Sequence, residues 1–534
     1  MMNFTILDFI VFAAYCSLIL FIGLFVSRDK GKKKSTEDYF LAGKSLPWWA
    51  VGASLIAANI SAEQFIGMSG SGFVLGLAIA SYEWMAALTL IIVGKYFLPI
   101  FIKQGLYTIP EFIEKRFSTQ LKTILAVFWI ALFVFVNLSS VLYLGSLALN
   151  TILGVPMMYG IIGLALFAAA YSLYGGLSAV AWTDVVQVVF LVLGGLLTTY
   201  IALNAISDGD GVFAGFDRVL KAAPDKFHMI LDKSNPQYMN LPGIWVLIGG
   251  LWVANLYYWG FNQYIIQRTL AAKSIKEAQR GIVFAAFLKI LIPFIVVVPG
   301  IAAYVIVSDP DLLSNFSTNN LPSLNEADKA YPWLLQFLPS GIKGIAVAAL
   351  AAAIVSSLAS MLNSTSTIFT MDIYKPYFAK SKDGTNLVRV GRIAAAVALI
   401  IGATMAPLLG GIDQAFQFIQ EYTGVVSPGI LAVFLMGLFW KKTTNKAAIW
   451  GTLLSIPGAM IFKAFPAIPW MNQMGFTLLL TLFIIGLVSH IDGKGNEDKK
   501  GIQLDSSVFN TGGIFNILAF TICIILVVLY SLFW

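Results

Sequence analysis

Apolar runs long enough to cross a bilayer recur about fourteen times along this chain, and no other feature narrows its fold as much. A segment in lipid must satisfy its own backbone polar groups, which leaves helices or a closed barrel. Runs of about twenty residues suit helices, whereas barrel strands need only about ten. The runs fall at 6–26, 48–73, 77–101, 121–152, 157–175, 183–206, 242–265, 278–307, 343–371, 390–409, 414–440, 447–465, 472–491 and 514–533. They predict an all-α polytopic membrane protein. Composition agrees: 58% of the 534 residues are hydrophobic and 11% are charged, against about 25% charged in soluble domains. No cleavable signal peptide is expected, because the first run is long enough to remain as a span and lacks a basic segment before it.

The net charge of +7 sits between the runs. Arg28, Lys30, Lys32, Lys33 and Lys34 follow the first run, Lys103, Lys115, Arg116 and Lys122 the third, and Arg268, Lys273, Lys276 and Arg280 the seventh. Lys375, Lys380, Lys382, Arg389 and Arg392 follow the ninth, and further lysines follow the eleventh and thirteenth. The alternate loops near 74–76 and 153–156 carry no Lys or Arg, and those at 207–241 and 308–342 balance base with acid. This alternation places the basic loops in the cytoplasm and both termini outside. It also gives the charge a topological explanation, so no nucleic-acid partner is expected. Cys16 and Cys523 lie in apolar runs and support neither a disulfide framework nor zinc ligation. There is no GxxxxGK[ST] phosphate loop, and His228 and His490 are isolated, so an enzyme is not expected.

Polar residues inside the runs carry the functional signal. The stretch 56–68 holds Asn59, Ser61, Glu63 and Gln64 at the centre of a spanning segment, where polar groups are costly unless they face protein, water or a ligand. A helix broken at mid-membrane, with carbonyls freed to hold a cation, accounts for them. Five runs later, Asn255, Tyr257, Tyr258, Asn262 and Gln263 make a second polar centre. Five is odd, so a second unit of that length is inverted relative to the first, and paired interrupted helices of this kind mark a midplane site. Glu83 on the third run and Lys289 on the eighth are then counterparts whose opposite charges can meet. Alternatively, Glu83 reaches water from a helix end and Lys289 snorkels to the surface. Ser356 and Ser357 lie three and four residues after Ala353, on one helix face. They either supply hard oxygen ligands to a cation or let helices pack closely. Gln420 and Glu421 add a further polar pair, and Asp184 after Thr183 has a helix cap as its plain explanation.

The motifs Ala57-Ala-Asn59-Ile60-Ser-Ala-Glu-Gln64-Phe, Tyr-Gly-Gly-Leu-Ser-Ala at 174–179, Trp-Thr-Asp184 and Ile354-Val-Ser356-Ser357 resemble the sodium:solute symporter family, and within it the sodium/glucose cotransporter group. The similarity runs over nearly the whole chain. It implies a leucine-transporter-type fold with two inverted five-helix repeats and about 14 transmembrane helices. The resulting divisions are an extra helix and basic loop at 1–47, a first repeat at 48–208, an outer loop at 209–241, a second repeat at 242–440 and three added helices at 441–534. It implies sodium-coupled symport of a hexose, galactose or glucose, in a bacterial inner membrane. By the matching motifs, sodium is held by carbonyls of Ala57, Ile60 and Ala353 and hydroxyls of Ser356 and Ser357. The sugar is held by Gln64, Glu83, Asn255, Lys289 and Gln420. Tyr258 covers it on the inner side, and Met68, Tyr82 and Phe416 on the outer side. Asn59 links the sugar to the sodium helix, and Asp184 lies on the ion's exit route. Ala86 departs from the pattern by replacing a serine, and one lost hydrogen bond costs about 0.5–1.5 kcal/mol. The rival expectations are another solute on the same fold (myo-inositol, sialic acid, proline or iodide), or a sodium-dependent channel or sensor.

Overall fold

The computed structural model describes residues 4–28, 35–379, 384–410 and 415–534. Among the basic residues named above, Lys30, Lys32, Lys33, Lys34, Lys380 and Lys382 lie outside them. The described chain is helical without a named strand. Its main helices are α1 Ile6–Ser27, α2 Trp48–Asn59, α3 Ser69–Leu75, α4 Ser81–Ile92, α5 Ile109–Arg116, α6 Thr119–Ala131, α7 Ser139–Leu153, α8 Met157–Ile206 and α9 Val212–Ala222. After these come α10 Gly250–Phe261, α11 Gln263–Leu270, α12 Ile275–Ser308, α13 Ile342–Ile368, α14 Gly384–Met405, α15 Ala415–Phe439, α16 Asn445–Lys463, α17 Trp470–Gly493 and α18 Gly513–Leu532. Among the described residues, ten helical stretches are long and apolar enough to cross a membrane.

Burial is inverted relative to a water-soluble protein. Large apolar side chains such as Ile10, Phe21, Leu166, Phe483 and Val527 are exposed, while Asp184, Arg268, Lys289 and Ser356 are buried. Lipid is a good solvent for the first set and a poor one for the second, so the polar groups turn inward. The helix α13 is the centre of the body, packed against α8, α1, α14 and α2. α12 lies against α2, α3 and α4.

Two helices break where the sequence places polar residues. α2 stops at Asn59, Ile60 is extended (φ −76°, ψ 101°), and the chain resumes as a π turn over Glu63–Met68 before α3. α10 stops at Phe261, Asn262 is extended (φ −81°, ψ 122°), and α11 continues. No proline forces either break. At the first, the Ser61 N–H donates to Gln64 Oε1 at 2.9 Å, and no backbone bond to the carbonyl of Ala57 forms. Side chains thus take over donors that would have continued the helix.

Other expectations change in detail. The runs at 157–175 and 183–206 remain two helices, labelled together as α8, that meet at a sharp turn at Gly176 (φ +65°), where an added Cβ would lie 2.4 Å from the Tyr39 carbonyl. Residues 207–241 contain a helix, α9, and dock on the body. There the Lys226 ammonium donates to the carbonyls of Val74 (2.6 Å) and Phe73 (3.2 Å) and sits 4.2 Å from the Tyr304 ring centre. The Met229 N–H donates to the Phe533 carbonyl at 2.7 Å. The chain entering α2 is bonded to the turn after α11: Leu46 N–H reaches the Ala271 carbonyl (3.1 Å), Lys273 N–H reaches the Leu46 carbonyl (3.0 Å), and Trp48 N–H reaches Glu277 (2.8 Å). Just beyond, α2 and α12 touch backbone to backbone, because a Cβ on Gly52 would lie 2.6 Å from the Gly281 carbonyl.

Candidate binding site for ion and solute

The two breaks face one cavity. Asn59, Gln64, Glu83, Asn255, Lys289 and Gln420 all line it. Lys289, on α12, is 1% exposed and ion-paired to Glu83 in the first turn of α4, so snorkelling is excluded and Glu83 does not reach water. The Lys289 ammonium also donates to Asn59 Oδ1, and it sits 5.1 Å from the Trp259 ring centre. Asn59 Nδ2 donates to the Tyr258 hydroxyl at 3.0 Å, and Tyr264 donates to the same hydroxyl at 2.7 Å. A continuous polar chain therefore links α4, α12, the end of α2 and α10. Glu83, Lys289 and Asn59 are buried and Tyr258 is half-buried, so the bonds among the first three are strengthened by the low local dielectric. Gln64 is held by Ser61, and Asn255 Nδ2 donates to the Leu251 carbonyl at 3.2 Å. Ala86 is buried and lines the cavity, so its missing hydroxyl faces the site.

The expected covers divide. Tyr82 and Phe416 pack edge to face at 5.1 Å and line the cavity, as does Tyr258. Met68 is fully buried and is not among the lining residues. Glu421 turns to the rim and pairs with Lys463 at 3.2 Å, leaving Gln420 as the cavity member of that pair.

Beside the first break, α13 brings its serines to the end of α2. Ser357 donates to the Ala58 carbonyl at 3.1 Å, and Ser356 donates to Asp184 Oδ1 at 2.5 Å. Each hydroxyl keeps lone pairs for a cation, and the last carbonyls of α2 lack intrahelical partners. Carbonyl and hydroxyl oxygens are the hard donors that sodium takes, so the residues fit that ion. Asp184 lies within α8 and is fully buried, which rules out the cap reading; Thr183 bonds back to the carbonyls of Ala179 and Val180. Asp184 also accepts from Ser54 and is ion-paired to Arg268 at 3.7 Å.

Arg268 is the main correction to the sequence reading. It was counted with the loop charges, yet it is fully buried in α11 and bonded to Ser54, Ser360 and the Tyr264 carbonyl. Glu63 was singled out without a role, and it lines the cavity with Ser140 donating to it at 2.7 Å. Arg116 and Lys122, also counted as loop charges, are buried; Arg116 caps the carbonyls of Gly437 and Thr443 at the end of α15.

A polar chamber walled by two interrupted helices within a lipid-facing body is the construction of a membrane carrier, not of an enzyme. The model of the sodium:solute symporter family matches residues 39–455, and the chain belongs to that family of sodium-coupled transporters. It is 69% identical over 533 residues to a sodium/glucose cotransporter of Vibrio parahaemolyticus, covering 99% of this chain and 98% of that one. It is 34% identical over 469 residues to the human sodium/myo-inositol cotransporter 2, covering 84% and 68%. The solved structure of a sodium-coupled sialic acid symporter, in a substrate-bound outward-open state, superposes with a TM-score of 0.79 at 23% identity, covering 91% of this chain and 98% of that one. At that identity the likeness concerns the fold.

Proposed function

We propose that this protein carries a hexose, galactose or glucose, into the cell together with sodium by alternating access. The carrying observation is the Glu83–Lys289–Asn59–Tyr258 chain, which joins a polar chamber to the broken end of α2. Gln64, Glu83, Asn255, Lys289 and Gln420 offer donors and acceptors on several sides, which suits a ring with many hydroxyls. The carbonyls of Ala57, Ile60 and Ala353 with Ser356 and Ser357 hold sodium. Tyr258 closes the inner side, and Tyr82 and Phe416, with Met68 behind them, close the outer side. Sodium at the break fixes the end of α2 and thereby Asn59, which orders the sugar contacts; by linkage, sugar tightens sodium as much as sodium tightens sugar. Asp184, bonded to Ser356 and paired with Arg268, stands where sodium leaves.

The architecture assigned with this function has 14 spans, inverted repeats at 48–208 and 242–440, an extra unit at 1–47, an outer loop at 209–241 and added helices at 441–534. Both termini lie outside a bacterial inner membrane. The breaks at Ile60 and Asn262, five spans apart, support the pairing of the repeats. A cyclitol is the second reading, because a relative at 34% identity is a myo-inositol carrier and Ala86 removes a hydroxyl from the chamber wall. Uptake of labelled galactose, glucose and myo-inositol into proteoliposomes, with and without an inward sodium gradient, tests the proposal. Accumulation of hexose only with the gradient is expected; equal uptake in both rejects coupling, and preference for myo-inositol selects the second reading.

A further inference from the structure

The chamber has a wall that the proposed sugar contacts leave unused. Gln64, Glu83, Asn255, Lys289 and Gln420 come from the π turn after α2 and from α4, α10, α12 and α15, and none comes from α6 or α7. Between α6 and α7, Leu132–Leu138 winds as a second π turn. Leu132 and Asn137 of that turn line the chamber, and so does Glu63, which opens the first π turn, Glu63–Met68. Turns of this width are rare and recur at functional sites. α7 packs against the Glu63–Met68 turn, so both wide turns meet at one cavity.

One hydroxyl joins them. Ser140, at the start of α7, donates to Glu63 Oε1 at 2.7 Å and lies 3.0 Å from the Asn137 carbonyl. Glu63 is half-buried, and its second carboxylate oxygen accepts from no group among the described residues. Glu83, the chamber's other carboxylate, is taken by Lys289. The Asn137 amide is likewise without a hydrogen-bond partner among the described residues. A carboxylate held in place on one oxygen and open on the other is an acceptor aimed at the cavity's contents. It cannot donate, so it meets a hydroxyl and not a carbonyl or a carboxylate.

We propose that Glu63 is a further sugar-binding residue: its open oxygen accepts one ring hydroxyl from the α7 side, and the Asn137 amide beside it contacts the same edge of the ring. The inference rests on the symport reading, which puts the sugar in this chamber. It completes the set of contacts on the one wall that lacked them. It also makes Glu63 a specificity-determining residue, because a ring without a donor at that carbon leaves the carboxylate unanswered. Loss of a hydrogen bond to a charged group weakens binding by about 10- to 100-fold.

The full-length chain in detergent, with saturating sodium, tests this by displacement of labelled galactose with the series of deoxygalactoses and deoxyfluorogalactoses, one ring position at a time. In the wild type, the analogues altered at the Glu63 position are expected to bind about 10- to 100-fold more weakly than galactose. In Glu63→Ala, galactose itself weakens by that factor and the penalty at that one position disappears, while penalties at the other positions persist. Glu63→Gln keeps the size and the bond from Ser140 and loses the charge; it folds if the alanine variant does not, and it is expected to shrink the penalty at the same position alone. An unchanged profile in both variants overturns the proposal. So does a uniform loss at every position, which marks a structural role, or a shift in half-saturating sodium with the profile intact, which marks an ion ligand. Absence of sodium-dependent galactose binding by the wild type overturns the symport reading and this inference with it, whereas wild-type binding with an unchanged variant profile overturns the inference alone.

Discussion

Replacing Lys289 with methionine perturbs the chamber at its one ion pair among the described residues while keeping the stem's bulk. Lys289 and Glu83 are 1% and 4% exposed, so the substitution strands a buried carboxylate without its counter-ion. Removing one partner of a buried pair costs about 3–5 kcal/mol. Asn59 loses its ammonium donor as well, which loosens the residue that joins the chamber to the end of α2. That penalty falls on stability; the sugar itself loses a hydrogen bond to a charged group, about 1.5–3 kcal/mol, so binding of labelled galactose in sodium falls by about 10- to 100-fold. The magnitude has an internal control. The double variant Glu83→Gln/Lys289→Met removes both charges, so it melts above Lys289→Met alone in detergent, yet it still fails to bind sugar. Scintillation-proximity binding and a melting curve, each in sodium and in potassium, read both effects. Wild-type galactose affinity in Lys289→Met, or strictly additive losses of stability in the double variant, refutes the reasoning, since both deny that the two charges act on each other and on the ligand.

Arg268→Ala leaves Asp184 buried without its counter-ion and is expected to lower stability by about 3–5 kcal/mol, with Asp184→Asn/Arg268→Ala recovering part of it in the same melting assay. Sodium at about 100 times its dissociation constant adds about 2.7 kcal/mol of stability, so the melting midpoint rises in sodium against potassium; Ser356→Ala/Ser357→Ala abolishes that difference. Burial pulls the Lys226 ammonium down from 10.5 to about 8, so the docked loop binds fewer protons than the released one between those values. Docking of residues 207–241 therefore strengthens as pH rises from about 8 to about 10.5. Hydrogen exchange of that loop, corrected for intrinsic rates, shows protection growing over this window in wild type and flat in Lys226→Met.

The helical membrane class was legible because lipid imposes a length and a polarity on every crossing. The breaks at Asn59 and Asn262 were legible for the same reason: Asn59, Glu63, Gln64 and Asn262 have no cheap place on an unbroken apolar rod. The meeting of Glu83 with Lys289 followed from counting five spans between their neighbourhoods. Arg268 was misread because loop and interior arginines look alike in sequence when they lie close to a basic turn. Its partner Asp184 is distant in the chain, and only the packing of α8 against α2 and α13 brings the two together. The sharp turn at Gly176 and the π turn after Ala62 depend on close tertiary approaches that no local pattern encodes.

The bonds from Leu46 to the turn after α11, followed by the bare contact of Gly52 with Gly281, fuse the basic-loop halves of both interrupted helices into a single lever. Neither half can swing alone without tearing three hydrogen bonds and prising apart a glycine contact closed on either side by Phe284 and Val51. Opening toward the basic side must accordingly move both halves in step, and the breaks at Ile60 and Asn262 lie beside the cavity proposed to hold the sugar.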